Sequence, residues 1–130
     1  MNPMPKPSKA KLRVLVVDDD LDIAGLVADG FKLAGCEVEI ATSGRLAQEA
    51  LSQRTFDVLL TDIRMPDGGG IELLNWLERE KQDISPFVMT GFGDVSMEMA
   101  LRSGALGFFS KPFDVGFIVK TVCKLAGGDP

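Results

Sequence analysis

Short apolar runs alternate with longer amphipathic stretches along almost the whole chain. Five runs have strand length: 12–17 (LRVLVV), 36–41 (CEVEIA), 57–61 (DVLLT), 85–90 (SPFVMT) and 108–110 (FFS). The first and third are nearly continuous, the pattern of strands buried on both faces of a parallel sheet. The second alternates Cys36, Val38 and Ile40 with Glu37 and Glu39, which predicts a half-exposed strand. The stretches between them repeat with helical period. A helix from about Leu21 carries Ile23, Leu26, Val27, Gly30 and Ala34 on one face, with Asp22, Asp29 and Lys32 opposite, and Gly35 marks its stop. Ser43 caps a short helix with Leu46, Ala47, Ala50 and Leu51 inward. A third begins near Ile71 with Leu74 and Leu77 inward and Trp76 packed alongside. A fourth places Met97, Ala100, Leu101 and Gly104 on one side, a methionine stripe that reads as core. Asp114 caps the last, whose Ile118, Val122 and Leu125 face inward.

Five strands alternating with five helices, without an internal repeat, predict a single α/β domain. Right-handed crossovers place the helices on both faces of one doubly wound parallel sheet. The expected strand order is 2-1-3-4-5, the flavodoxin-like arrangement, with its ligand crevice between strands one and three. The domain is expected over 12–126, after a flexible tail at 1–11 that contains Pro3, Pro5 and Pro7, and before a frayed end at 127–130.

Composition narrows the function. At 130 residues the chain suffices for one core and not for two. A net charge of −5, from 14 basic and 19 acidic residues, argues against direct nucleic-acid binding by this segment. The longest apolar run, VLVV, is far shorter than a membrane span, and no signal peptide is visible, so a cytoplasmic protein with no membrane contact is expected. Cys36 and Cys123 lie outside any C-x-x-C pair and read as buried, reduced thiols. The chain has no histidine, which removes Ser-His-Asp and Cys-His catalysis, histidine metal sites and a role as histidine phosphodonor.

Chemistry gathers at the strand ends. Strand one delivers Asp18 and Asp19, strand three Asp62, strand four Thr90 and strand five Lys111, all at the edge where open α/β sheets bind ligands. After Asp62, Met65-Pro66 and the glycines Gly68, Gly69 and Gly70 break the chain before the next helix. Each feature has a bland account alone. Asp18-Asp19-Asp20 can serve a helix dipole, Thr90 can close a strand, and Lys111-Pro112 can be a turn. Their joint occurrence at four strand ends is much harder to obtain by accident. Three neighbouring carboxylates repel one another unless a cation is present, and Mg²⁺ accepts a site of few carboxylates and several waters. With a lysine and a hydroxyl, the set equips the chain to form and hold an aspartyl phosphate.

The blocks VLVVDDD, LLTDIRMPDGGGIELL, VMTGFGD and GALGFFSKPF resemble, in order and spacing, the CheY-like receiver domain of two-component response regulators. The similarity runs from about Leu12 to about Leu125. It implies that Asp62 is the phosphoacceptor, taking a phosphoryl group from a histidine kinase or histidine phosphotransfer protein. It implies that Asp19, Asp62 and the backbone carbonyl of Arg64 ligate Mg²⁺, with Asp18 acting through water. Thr90 and Lys111 would bind the phosphoryl group, Lys111-Pro112 would be a cis peptide, and Phe108 would be the aromatic switch that responds to Thr90. The resemblance implies a signalling domain, not a turnover enzyme, whose own chemistry is phosphotransfer and autodephosphorylation. Its output passes through the surface of helix four, strand five and helix five, around Met99, Phe108 and Lys120, to a downstream partner or a missing output domain. Phe92 and Arg64 occupy variable positions that lack a water-orienting acceptor, so a long-lived phosphorylated state is expected.

Three rivals fit less well. A haloacid-dehalogenase-type phosphohydrolase needs Thr or Val where Asp22 stands. An EF-hand begun by Asp18, Asp20 and Asp22 would place Ile23 where glycine is required and Asp29 where glutamate is. A flavin phosphate would be repelled by the three aspartates that follow strand one.

Overall fold

A computed structural model describes residues 11–66, 69–91 and 97–127. Five strands and five helices alternate: β1 (Arg13–Val17), α1 (Leu21–Leu33), β2 (Glu37–Ala41), α2 (Gly44–Gln53), β3 (Val58–Asp62), α3 (Gly70–Arg79), β4 (Ser85–Thr90), α4 (Met97–Arg102), β5 (Gly107–Ser110) and α5 (Val115–Val122). A π-helical turn, Cys123–Gly127, continues α5. All strand pairs are parallel, in the order β2-β1-β3-β4-β5, so the expected architecture is the observed one.

Side-chain alternation along the strands divides the core in two. Leu15, Val17, Leu59 and Val88 point to one face and pack with α2, α3 and Ala100 of α4. Val14, Val16, Val58, Leu60, Phe87 and Met89 point to the other and pack with α1 and α5. Every residue of β3 is buried, as its unbroken apolar run requires of the central strand. Trp76 packs half-buried against the first cluster.

Helices α1, α2 and α5 carry side-chain N-caps, those at Ser43 and Asp114 as expected. Asp20 accepts from the backbone N–H groups of Asp22 and Ile23, Ser43 from Leu46 and Asp114 from Phe117. Gly35 takes φ +92° just past α1, a conformation that glycine adopts without the Cβ penalty.

Several inward faces differ from expectation. Helix α1 buries Ala24, Val27, Ala28 and Phe31, and leaves Leu26 64% exposed and Leu33 90% exposed. The buried face is rotated from the expected one, with Ala24 and Phe31 joining Val27 in the core shared with the sheet and α5. At Gly30 an added Cβ would meet Val115 at 2.5 Å and Val119 at 3.1 Å, so α1 and α5 also approach closely. Ile40, Leu46, Leu101 and Leu125 are exposed, not inward. Strand β2 is the sheet's edge, and there Glu39 is half-buried instead, held by Arg54 through two bonds of 2.7 and 2.8 Å. Cys36 and Cys123 are half-buried free thiols. None of the described helices is long and apolar enough to cross a membrane.

Candidate functional site at the carboxyl edge

The register sets the strand ends side by side. Val17 pairs with both Ala41 and Thr61, Asp62 with Met89, and Thr90 with Ser110. The chain leaving β1 stays in line, because Asp18 N–H donates to the Ala41 carbonyl at 3.1 Å. Asp62 is the last residue of β3, and Thr90 the last of β4. Lys111 follows β5, its N–H donating to the Thr90 carbonyl at 3.0 Å. The peptide bond between Lys111 and Pro112 is cis.

Carboxylate oxygens of Asp18, Asp19 and Asp62 all lie within 4.8 Å of one another. Asp18 is 1% exposed and Asp62 9%, whereas Asp19 reaches solvent. Asp18 Oδ1 accepts the Asp20 N–H at 2.9 Å, but Oδ2 is buried with no partner among the described residues. Its carboxyl is pushed up to about 6. Burial is the largest cause and the charges of Asp62 and Asp19 add to it, while the Asp20 N–H and Lys111 pull the other way. Burial also raises Asp62 above the ordinary carboxylate value, with Asp19 contributing, against the opposing Arg64 N–H and the Lys111 charge. The Arg64 N–H donates to Asp62 Oδ1 at 3.4 Å, and the Arg64 residue is exposed.

A buried acidic cluster with an orphaned oxygen is costly by itself. The donor set fits a hard divalent cation, which takes oxygen ligands and would offset both the repulsion and the lost hydration. Thr90 is buried beside the cluster, its hydroxyl donating to the Gly91 carbonyl at 3.2 Å. Lys111 lies near enough for its charge to act on both Asp18 and Asp62, and its Nζ sits 5.9 Å from the Phe113 ring centre. Phe108 lies further out on β5 with its ring partly exposed. Phe92 lies outside the described residues.

Two contributions were not singled out from the sequence. Asp20, third of the aspartates, caps α1 and so fixes the backbone that carries Asp18 and Asp19. Gly70 is more than a chain break. Its N–H donates to the Ile63 carbonyl at 2.8 Å, and a Cβ there would come within 2.5 Å of the Asp62 carbonyl oxygen. The start of α3 therefore lies directly on the backbone of Asp62. A run of three glycines signals such an approach only once the strand before it is known to carry the site.

Comparison with known proteins agrees with this geometry. The family model described as response regulator receiver domain matches residues 14–123. The response regulator protein PilR of Pseudomonas aeruginosa is 31% identical over 108 residues, 82% of this chain and 24% of PilR. A response regulator receiver protein of Anaeromyxobacter sp. is 39% identical over 104 residues, 79% of this chain and 44% of that protein. This chain thus spans only about a quarter of PilR, 24% by length, and less than half of the second relative, 44%. The structure of the chemotaxis response regulator CheY4 of Vibrio cholerae superposes with a TM-score of 0.81 at 28% identity, covering 89% of this chain and 99% of that one. Strand order, the position of the acidic cluster and the extent of the family match converge on one assignment: the chain belongs to the receiver domain family of two-component response regulators.

Proposed function

We propose that this receiver domain, spanning 12–126, takes a phosphoryl group onto Asp62 from the phosphohistidine of a histidine kinase or phosphotransfer protein. The observation that carries this reading is the convergence of three carboxylates, one oxygen from each within 4.8 Å of the others, together with an Asp18 Oδ2 that is buried without a partner among the described residues. Asp19, Asp62 and the Arg64 carbonyl would hold Mg²⁺ directly and Asp18 through water. When bound, the ion supplies positive charge to the phosphoryl oxygens as they approach.

The chain's own residues do the rest. An Asp62 carboxylate oxygen forms the new bond to phosphorus while the phosphorus–nitrogen bond of the donor breaks, and the electron pair stays on the imidazole nitrogen. Lys111 balances charge on the transferred group, and the Thr90 hydroxyl exchanges its Gly91 carbonyl for a phosphoryl oxygen. Burial of Asp62 keeps bulk water from the acyl phosphate. The product acts as a signal, passed to a downstream partner or an output domain.

Intact mass after incubation with a small phosphodonor and Mg²⁺ tests the reading. One phosphoryl addition is expected in the native chain and none in Asp62→Asn. Equal labelling of that variant would overturn the assignment.

A further inference from the structure

The two cysteines, 87 positions apart, meet at the sheet edge opposite Asp62, with Sγ atoms 4.0 Å apart. Cys36 sits between α1 and the amino end of β2. Cys123 ends α5 and opens the π-helical turn. A disulfide has its sulfurs about 2 Å apart, so closure requires the two Sγ atoms to approach by about 2 Å. The backbones that carry the pair are already held together. Gly30 lets α1 lie against Val115 and Val119 of α5, Cys36 N–H donates to the Phe31 carbonyl at 3.0 Å, and Gly127 lies against Leu12. Both residues are half-buried, packed against the core that the sheet shares with α1 and α5, and not sealed inside it.

We propose that Cys36 and Cys123 form a redox-active dithiol that closes to an intramolecular disulfide by exchange with a small-molecule disulfide such as oxidised glutathione. One protein thiolate attacks the glutathione disulfide, forming a mixed disulfide and releasing one glutathione thiolate. The second protein thiolate then attacks the protein sulfur of that mixed disulfide and expels the other glutathione. Two protein thiols are oxidised and one glutathione disulfide is reduced to two thiols. Whichever cysteine starts, each acts once as a nucleophile, so Cys36 must do so in either order. Its thiol is pushed up to about 11, by burial first and then by the adjacent Cys123. The exchange is therefore slow at neutral pH, and the pair responds to sustained oxidising conditions more than to brief ones. Once closed, the bond ties the junction of α1 and β2 to the Cys123–Gly127 turn and leaves the carboxyl edge untouched.

The native chain is incubated with oxidised glutathione at pH 8, and intact mass, non-reducing peptide mapping and melting temperature are followed. The expected product is a monomer that has lost two hydrogens, contains a peptide cross-link between Cys36 and Cys123, and melts roughly 10 °C higher until reduced. Cys36→Ser and Cys123→Ser should each fold with the melting temperature of the reduced chain and gain one glutathione without forming the cross-link. If either serine variant is unstable, the alanine variant of the same position replaces it. Two stable glutathione adducts on the native chain, disulfide-linked dimers, or no reaction after prolonged exposure would each overturn the proposal.

Discussion

The Asp18 carboxylate meets two demands that conflict when no cation is bound. One oxygen is committed to the Asp20 N–H and the other is buried without a partner among the described residues, in a carboxylate that clusters with Asp19 and Asp62. Folding raises its pKa from 3.8 to about 6, so between those values the folded chain holds a proton that the unfolded chain has released. Metal-free stability must then fall as pH rises through that window, by about 3 kcal/mol if Asp18 acts alone, and the penalty is absent below it. Asp62 is shifted in the same direction and adds to the trend. Mg²⁺ favours the ionised cluster, so its stabilising effect should grow over the same window. Thermal denaturation between pH 4 and 7, with chelator and with Mg²⁺, measures both slopes. Asp18→Asn should be the more stable chain at pH 7 without metal, flatten the metal-free profile and respond less to Mg²⁺. A native chain whose metal-free stability rises steadily from pH 4 to 7, in parallel with Asp18→Asn, would show that this carboxylate is not strained.

Glycines in helices play opposite parts here, and one contrast separates them. Gly70 opens α3 against the Asp62 backbone, where a Cβ would meet the Asp62 carbonyl oxygen at 2.5 Å and Ile63 Cα at 3.0 Å. Backbone cannot move aside as a side-chain tip can, so Gly70→Ala should cost about 1–3 kcal/mol and weaken Mg²⁺ binding by displacing Asp62. Gly25 lies within α1 with nothing inside 4 Å of an added Cβ. Gly25→Ala should therefore stabilise the chain by about 0.5–1 kcal/mol, the helix preference for alanine. Urea denaturation of the two variants decides the sign of each; a neutral Gly70→Ala would mean that α3 does not press on the site. The same elements show what the sequence made legible. Strand pattern, caps at Ser43 and Asp114, and the four strand ends could be read because each depends on residue type at a fixed spacing. On the buried face of α1 only Val27 could be read; Ala24, Ala28 and Phe31 are buried as well while Leu26 is exposed, because helical period alone does not choose between neighbouring faces when alanines can be buried as readily as leucines. The orphaned oxygen of Asp18 and the pressure of Gly70 on Asp62 depend on tertiary distances that no local pattern encodes. The meeting of Cys36 with Cys123 likewise requires the fold to place residues 87 positions apart side by side.

Across the whole molecule, the sheet links the acidic edge to a surface rich in exposed apolar side chains. Met99 and Leu101 of α4, Leu106, Phe108 of β5 and Phe117 of α5 are all exposed, an arrangement suited to a partner and costly to leave in water. Thr90 stands between the two regions. Its hydroxyl is held by the Gly91 carbonyl at 3.2 Å, its own carbonyl accepts the Lys111 N–H, and β4 and β5 pair Val88 with Phe108 and Thr90 with Ser110. A phosphoryl group on Asp62 would draw the Thr90 hydroxyl toward the site and Lys111 with it. The end of β4 would then shift, and the Phe108 ring, 36% exposed, could turn into the space released. On the proposed function the group would thereby favour one of two packings of the same surface, with the shift in population limited by its differential contacts with the two. Adding Mg²⁺ and a beryllofluoride mimic of the phosphoryl group should move backbone amide resonances over Met97–Arg102, Gly107–Ser110 and Val115–Val122 as well as at Asp18, Asp19 and Asp62. In Thr90→Ala the mimic should still bind, with changes retained at the aspartates and reduced by more than half over α4, β5 and α5. Changes confined to the aspartates in the native chain would refute the coupling, and a full response in Thr90→Ala would assign it to Lys111 instead.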